Sequence, residues 1–255
     1  MMPENILKKR LKEGKTSIGA FILTAHPTIA EVMARAGFEW LVFDMEHGVI
    51  GIESVEIMAQ AISGTMVTPL VRLPWNDFVI IKQVLDTGVM GLIVPMVNTP
   101  EQAQQAVRAT RYPPAGIRGF GPHRASGFGT WIDQYYEKSD ENIFVCIQIE
   151  NVDAVKNLEK ILSVEGIDCV FIGANDLAGS MGLLKNPSDP EVQNAIGYIN
   201  SVCRKFNIPC GLVAKPADIN RRIREGFQFI CAGTDISMMM DGCRSVFAGI
   251  KRNKG

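Results

Sequence analysis

Short apolar runs alternate with amphipathic segments along almost the whole chain. The runs are rich in Val, Ile, Leu and Phe, and each is followed by a stretch with helical spacing of its apolar residues. Runs that are apolar almost throughout are typical of parallel strands covered on both faces. The pattern predicts eight strands, each followed by a helix, with the strands at residues 17–24, 39–45, 67–74, 91–97, 143–150, 168–174, 208–214 and 227–233.

Eight strand–helix units in a chain of 255 residues fit a (β/α)8 barrel, which needs roughly 250 residues. A doubly wound open sheet is the competing α/β architecture, but the sequence has no dinucleotide-binding glycine fingerprint. No low-complexity segment or linker divides the sequence. We therefore expect one domain over residues 1–255, an α/β fold of the closed (β/α)8 (TIM) barrel type.

The composition is that of a globular protein and narrows the classes of molecule that it is expected to bind. The formal net charge is -1, which gives no electrostatic reason to expect nucleic acid or an anionic membrane as partner. The six cysteines form no CxxC pair and most lie in apolar stretches, as buried thiols in a reducing compartment do. The N-terminus lacks the apolar core of a signal peptide, and no apolar stretch is long enough to span a bilayer. We expect a cytoplasmic protein.

Polar side chains gather where the predicted strands end. In a (β/α)8 barrel, catalytic groups stand at the C-terminal ends of the strands. Any one of these side chains could be a surface or capping residue, but clustered charges at a partly buried rim cost desolvation. The joint pattern therefore indicates function. The set consists of Asp44, Glu46, His47, Arg72, Gln148, Glu150, Asn175, Asp176, Lys215 and Asp235.

The residue types at this rim favour metal-assisted enolate chemistry. Glu150 and Asp176 follow adjacent strands and are hard oxygen ligands suited to a divalent cation with open positions for a 2-oxo acid. Arg72 could stabilise an enolate oxyanion, and His47 is the natural general base. A Schiff-base mechanism would need a lysine inside the barrel, and Lys215 is the only near candidate.

One long connection, residues 112–142, is rich in Gly and Pro and interrupts the regular alternation. It carries Arg118, His123 and Arg124. Connections of this length in compact domains are usually functional or mobile. A decorated surface excursion is the alternative for any single residue in it.

Six motifs together resemble the HpcH/HpaI aldolase family of the phosphoenolpyruvate/pyruvate barrel superfamily. They run in the family's order from about Gly19 to the final helix, and they are FDMEHG, VRLPWND, GLIVPMVNTPEQA, RYPPAGIRG, QIEN and FIGANDLAGSMG. Members of this family are class II aldolases. The resemblance implies a lyase of aromatic or sugar-acid catabolism that cleaves a 4-hydroxy-2-oxo acid to pyruvate and an aldehyde, through a pyruvate enolate bound to a metal.

The resemblance also implies a role for several residues. Glu150 and Asp176 would be the metal ligands for Mg²⁺, Mn²⁺ or Co²⁺, while His47 would be the base and Arg72 the group that stabilises the enolate. Gln148, Asp176 and the backbone at Asn175 would contact the pyruvate half of the substrate. Many relatives have Ala or Ser where this chain has Asn175, a difference that bears on substrate fit more than on the chemistry.

The family pattern further places an aspartate beside the histidine to raise its basicity, and here that position is Asp86. Asp86 falls at the end of the third predicted barrel helix, near the N-terminal face of the barrel, so it cannot reach the strand ends of its own chain. The resemblance implies that it serves a neighbouring subunit in a homo-oligomer, typically a hexamer built as a trimer of dimers. The C-terminal helix, which opens with ISMMMDG, would be exchanged between subunits.

The substrate is open between two 2-oxo acids. The segment HRASGFGTWIDQYY is closer to members that cleave 2-dehydro-3-deoxyglucarate than to those that cleave 4-hydroxy-2-oxoheptanedioate. Arg124 could pair with a distal carboxylate of the substrate. Two other functions remain as alternatives, an acyl-CoA lyase of the citrate lyase β or malyl-CoA type and a non-catalytic barrel that binds a 2-oxo acid.

Overall fold

The strands close into one barrel in which each strand pairs in parallel with the next and the eighth pairs with the first. The computed structural model describes residues 2–184 and 186–250. All eight predicted strands are present in the predicted order, so the (β/α)8 architecture is confirmed. The strands are β1 Ser17–Ile22, β2 Trp40–Asp44, β3 Thr68–Arg72, β4 Gly91–Val94, β5 Phe144–Ile149, β6 Cys169–Ile172, β7 Cys210–Val213 and β8 Phe229–Thr234.

Helices follow the strands and cover the outside of the barrel, where most of the aliphatic core lies between helix and sheet. One further helix precedes β1, and a short 3₁₀ turn, Pro216–Asp218, follows β7. The helices are α1 Ile6–Lys12, α2 Pro27–Arg35, α3 Ile52–Ala61, α4 Phe78–Asp86, α5 Pro100–Thr110, α6 Ile132–Asn142, α7 Val152–Lys156, α8 Leu158–Leu162, α9 Ala174–Ser180, α10 Pro190–Lys205, α11 Ile219–Arg224 and α12 Asp235–Ala248.

Aromatic rings fill the interior of the barrel. Trp40 stacks on Phe229 with ring centroids 4.1 Å apart, and Phe144 and Phe171 pack against Phe229 from other directions. Gly19 leaves the space that Trp40 needs, because a Cβ there would lie 2.1 Å from the indole ring. The interior is therefore a packed core, and chemistry is confined to the rims.

Helix α1 closes the N-terminal end of the barrel. Lys8 is buried and forms an ion pair of 2.9 Å with Asp168, and its ammonium also donates to the carbonyl of Ile143 at 2.7 Å. Burial lowers the pKa of Lys8 and raises that of Asp168, even though each charge favours the other. Desolvation thus outweighs the mutual attraction at this closure.

Two predicted segments differ from the structure. The connection 112–142, which the sequence predicts as one long interruption of the regular alternation, ends in a regular helix, α6. The helix predicted after β5 is two short helices, α7 and α8, because Asn157 between them turns out of helical geometry and donates its side-chain amide to the carbonyl of Asn98.

Most of helix α12 is exposed. Asp235 is its only buried residue and Met238 packs partly against the barrel core, whereas Ile236, Met239 and Val246 are exposed. A helix with an uncovered apolar face is typical of a segment that packs on another molecule. Within the described residues, no helix is long and apolar enough to cross a bilayer.

Candidate active site

The C-terminal rim brings together side chains from neighbouring strands. Residue Asp44 ends β2 and pairs in register with Arg72, which ends β3. Gln148 lies in β5, and Glu150 is the first residue after that strand. Asp176 lies in the first turn of α9, which follows β6. The strands of the closed barrel end at one rim, and the charges of Asp176 and Arg72 both act on the pKa of Glu150, the first raising it and the second lowering it. These groups therefore share one site.

Asp44 organises one side of the site. Its two carboxylate oxygens accept hydrogen bonds from Nε and Nη2 of Arg72, at 2.9 and 2.6 Å. One of these oxygens also accepts the backbone N–H groups of Glu46 and His47, at 3.1 and 3.3 Å. Asp44 is therefore the residue that fixes both the guanidinium and the turn that carries the histidine.

Arg72 is held on three sides. Besides Asp44, it lies 3.2 Å from a carboxylate oxygen of Glu46, and its guanidinium stands 4.8 Å above the ring of Phe21. Burial would lower the pKa of Arg72, but its hydrogen bonds with Asp44 raise it above the ordinary value. Arg72 is thus a permanently charged donor with a fixed direction at the rim.

Glu150 is held equally firmly on the other side of the site. The side chain is buried, one oxygen accepts the N–H of Met96 at 2.7 Å, and the other accepts the side-chain amide of Gln148. Met96 has a positive φ of 54° that aims this N–H at the carboxylate. Gly173 lies against Glu150, because a Cβ at that position would lie 2.6 Å from its Oε2. Burial raises the pKa of Glu150, and the charge of Asp176 adds to the rise.

The donor set at this rim fits a hard divalent cation. Glu150 and Asp176 supply carboxylates, and Asp176 is exposed toward solvent, so positions around an ion would stay open for water and substrate. One buried oxygen, Oε1 of Gln148, has no hydrogen-bond partner in the part of the chain that is described, whereas the buried Oε2 of Glu46 lies 3.2 Å from Nε of Arg72. Within the described residues no cluster of three or more His, Cys, Asp or Glu side chains is arranged for a metal. The two-carboxylate ligand pair predicted from the sequence stays a prediction.

His47 stands in the open at the same rim. Its side chain is 60% exposed, and its nearest acidic group is Glu46, at 4.0 Å from Nε2. Asp86, the predicted partner of His47, ends α4 at the opposite face of the same barrel. There it pairs with Arg118 at 2.7 Å. The single chain therefore does not bring Asp86 and His47 together, as the position of Asp86 along the chain predicted.

Asp86 and Arg118 form part of a buried cluster. Arg118 donates to the hydroxyl of Tyr135 at 3.0 Å and lies 4.8 Å from the ring centre of Tyr112. Burial raises the pKa of Asp86, and the charge and hydrogen bond of Arg118 oppose the rise. The connection 112–131 thus folds back onto the end of α4 and does not reach the catalytic rim.

Arg124 also lies at the N-terminal face. It donates to the carbonyl of Thr87 at 2.7 Å and lines a cavity of about 640 Å³ together with Met90, Phe128 and Trp131. Arg124 therefore does not contact a substrate bound at Glu150 of its own chain. The predicted contact of Arg124 with a distal carboxylate of the substrate would therefore require a second copy of the chain. The reason is the same as for Asp86, because both residues lie at the N-terminal face of the barrel and the strand ends lie at the other face.

Other rim residues take simpler positions. Asn175 is exposed beside Asp176, in the same helical turn. Lys215 is exposed after β7, and none of the eight described strands contains a lysine. Asp235 is buried and accepts backbone N–H groups of the loop after β1. A lysine-based mechanism has no support in this arrangement.

Sequence reasoning missed one contribution to the site and left another incomplete. The N–H of Met96 is a backbone group in a left-handed conformation, and no side-chain pattern signals it. Asp44 was predicted at the rim, but its contacts with Arg72 and the turn were not, although the motif FDMEHG has an aspartate before two polar residues and a glycine, as in turns closed by an Asx side chain.

The chain is similar to known proteins over nearly its whole length. The model of the HpcH/HpaI aldolase/citrate lyase family matches residues 17–241. A 5-keto-4-deoxy-D-glucarate aldolase of Klebsiella pneumoniae is 39% identical over 250 residues, which cover 97% of both chains. A 4-hydroxy-2-oxo-heptane-1,7-dioate aldolase of Escherichia coli is 42% identical over 248 residues, 96% of this chain and 94% of the relative.

A solved structure shares the whole fold. The crystal structure of an HpcH/HpaI aldolase/citrate lyase family protein from Burkholderia cenocepacia J2315 superposes with a TM-score of 0.92 at 31% identity. The match covers 96% of this chain and 98% of that protein. This chain thus shares its barrel fold with a solved member of the family over nearly its full length.

Proposed function

Because the chain belongs to the HpcH/HpaI aldolase/citrate lyase family, we propose that it cleaves a 4-hydroxy-2-oxo acid to pyruvate and an aldehyde. The protein is an aldolase and therefore a carbon–carbon lyase, like the relatives that cover nearly all of its length. The observation that carries the proposed chemistry is the convergence of Glu150, Asp176 and Arg72 at one rim, with Arg72 fixed by Asp44.

Glu150 and Asp176 would hold the divalent cation, Mg²⁺, Mn²⁺ or Co²⁺. The cation would act as a Lewis acid on the keto group of the 2-oxo acid and so ease formation of an enolate. Gln148 and the backbone at Asn175 would orient the carboxylate of the pyruvate half. The buried Oε1 of Gln148, which has no hydrogen-bond partner among the described residues, supports the presence of a bound group there.

Arg72 stabilises the charge that develops on the enolate oxygen. Its direction is set before the substrate arrives, because Asp44 holds two of its nitrogens and Phe21 supports its face. A charged donor that needs no reorganisation is the kind of group that lowers a barrier through electrostatics.

His47 is the general base of the cleavage step. It takes the proton of the C4 hydroxyl, the C3–C4 bond breaks, and C4 leaves as the aldehyde carbonyl. The bonding electrons form the enolate of pyruvate, which gains a proton at C3 and leaves as pyruvate. The exposure of His47 supports this role, because the departing aldehyde half must occupy the open side of the rim.

We propose that the aspartate that raises the basicity of His47 is Asp86 of a second copy of the chain. Asp86 and Arg124 lie on one face, away from Glu150, so in a homo-oligomer they would face the His47 and the distal carboxylate at a neighbouring rim. The exposed apolar side chains of α12 support exchange of this helix between copies. We propose a hexamer, a trimer of dimers, in the cytoplasm.

The substrate class follows from this arrangement. The two relatives act, by their names, on glucarate- and heptanedioate-derived acids, both of which carry a second carboxylate. Arg124 is suited to such a group because a guanidinium binds a carboxylate through two parallel hydrogen bonds. We therefore propose a dicarboxylic 4-hydroxy-2-oxo acid such as 2-dehydro-3-deoxyglucarate or 4-hydroxy-2-oxoheptanedioate.

An aldol-cleavage panel tests the function. Both dicarboxylic acids, a monocarboxylic 4-hydroxy-2-oxo acid and malyl-CoA are incubated with enzyme and Mg²⁺, Mn²⁺ or Co²⁺. Pyruvate release from the three 2-oxo acids is followed by a coupled dehydrogenase, and cleavage of malyl-CoA is followed by chromatographic detection of acetyl-CoA. The expected result is pyruvate release from the dicarboxylic acids that EDTA abolishes and added metal restores. Cleavage of malyl-CoA alone would instead make the protein an acyl-CoA lyase. A metal-loaded protein that neither cleaves any of them nor exchanges the methyl protons of pyruvate in D₂O would be a binding protein.

A further inference from the structure

The first residue of α12, Asp235, is hydrogen-bonded to the loop that follows β1, the strand paired with β8. Asp235 is buried, and its two carboxylate oxygens accept the backbone N–H groups of Leu23 and Thr24, each at 3.0 Å. The helix does not need this carboxylate as a cap, because Thr234 and Ser237 already form a capping box at its start. The side chain of Asp235 therefore serves the loop after β1.

That loop in turn supports the turn that carries the general base. Gly48 directly follows His47, and a Cβ on Gly48 would lie 3.1 Å from the carbonyl oxygen of Leu23 and 3.2 Å from its Cα. The backbone of Leu23 is thus in close contact with the end of the turn. From the other side, Asp44 accepts the N–H of His47 through its side chain and that of Gly48 through its carbonyl.

We propose that Asp235 is a positioning residue for His47, acting through the backbone of Leu23 and Gly48. This inference rests on the proposed function, which makes His47 the base. Asp44 holds the start of the turn, and Asp235 fixes the surface against which its end rests. Asp235 is also the first residue of α12. One residue therefore links the start of that helix to the placement of the base.

The chain offers a matched pair of variants. Asp235→Ala removes the contact with Leu23 and Thr24, whereas Thr234→Ala removes the neighbouring helix cap and leaves those two N–H groups bound. Asp235→Ala should lower kcat for aldol cleavage by about tenfold or more, because small displacements of a catalytic group are costly. The KM for the 2-oxo acid and the Kd for Mn²⁺ should change less than about twofold, since Gln148 lies on β5 and Glu150 directly follows that strand, away from α12. Thr234→Ala should keep kcat near the wild-type value.

A second measurement reports on His47 without catalysis. Carbethoxylation by diethylpyrocarbonate, followed by peptide mass spectrometry, gives the reaction rate of each of the three histidines. Asp235→Ala should change the rate at His47 relative to His123, which lies at the opposite face, and Thr234→Ala should not. Asp235→Asn keeps one acceptor oxygen and should give a smaller change, and it replaces the alanine variant if that variant does not fold.

Two outcomes would overturn the proposal. One is a wild-type kcat and wild-type labelling of His47 in both Asp235 variants, and the other is an equal loss in Thr234→Ala, which would assign the effect to the helix cap. A failure of the proposed function looks different, because wild-type protein would then release no pyruvate from any substrate while the labelling of His47 would still respond to Asp235.

Discussion

Arg72 donates Nε and Nη2 to the two oxygens of Asp44, and the pair joins the ends of β2 and β3 at the catalytic rim. The geometry depends on the planar fork of the guanidinium, which an ammonium group cannot reproduce. The carboxylate of Asp44 also accepts the backbone N–H of His47 in the turn that follows β2. The buried carboxylate of Asp44 thus sets the positions of both the proposed base, His47, and the guanidinium of Arg72.

Arg72→Lys keeps the charge but loses the fork. We expect kcat to fall by about 10²–10³ while KM changes little, because the missing interaction acts mainly on the developing enolate. Steady-state kinetics of aldol cleavage measure both constants. Arg35→Lys, an exposed arginine paired with Glu31, is the control and should leave kcat unchanged. An Arg72→Lys enzyme with wild-type kcat would contradict the assigned role.

Glu150→Gln should abolish binding of Mn²⁺, because the amide removes one of two carboxylate charges from the proposed metal site. Titration calorimetry with Mn²⁺ measures the loss directly. Asp153→Asn is the matched control, since Asp153 is an exposed acid just after Glu150 that pairs with Lys156. Retention of wild-type Mn²⁺ affinity and of EDTA-sensitive activity by Glu150→Gln would exclude this residue as a ligand.

Gly173→Ala tests how closely the backbone surrounds Glu150. The added methyl would lie 2.6 Å from Oε2 and 2.8 Å from Cβ of Glu150, so the carboxylate must move. We expect Mn²⁺ affinity to fall by about 10–100-fold, the usual effect of disturbing the support of a metal ligand. Gly197→Ala, in α10 with no atom within 4 Å of the new methyl, should keep the affinity. Equal affinities in the two variants would show that Glu150 is not fixed by Gly173.

Lys8→Met should destabilise the fold by about 3–5 kcal/mol near neutral pH, because it leaves Asp168 buried without its cation. The already raised pKa of Asp168 would rise further in this variant. A carboxyl with a raised pKa in the folded state contributes stability at acid pH and loses it as pH rises through that pKa. The destabilisation should therefore be smaller at about pH 4 than at about pH 7.

Denaturant unfolding at the two pH values measures this difference. Lys9→Met is the control, because Lys9 forms only an exposed pair with Glu4 and should cost under about 1 kcal/mol. A loss for Lys8→Met that is independent of pH would indicate lost packing and not an unpaired carboxylate.

Mixed oligomers test whether the site is shared between copies. Asp86→Asn and Glu150→Gln should each be strongly impaired alone. After co-refolding at equal amounts, about a quarter of the sites should combine an intact Glu150 with an intact Asp86 from the neighbour. Recovery of about a quarter of wild-type kcat would support the proposal. Activity no higher than the mean of the two single variants would place Asp86 outside the catalytic site.

The sequence predicted the parts of the site that follow from strand periodicity. Glu150 and Asp176 were identifiable because consecutive parallel strands must end at the same rim, and Arg72 because it keeps the phase of its strand. The N–H of Met96 was not predictable, since its direction depends on one backbone angle. The Asp86–Arg118 pair was also missed, because it forms only when a long connection folds back across 32 residues.

The aromatic packing inside the barrel has a consequence for assembly. Trp40, Phe144 and Phe229 fill the interior, so Asp86 and Arg124 at the N-terminal face cannot reach the C-terminal rim of the same chain through it. In the proposed oligomer, the rim that they complete would belong to a neighbouring copy. Contacts of this head-to-tail kind end when they close into a ring, and a threefold ring, the trimer of the proposed hexamer, would give every rim the Asp86 of a neighbour.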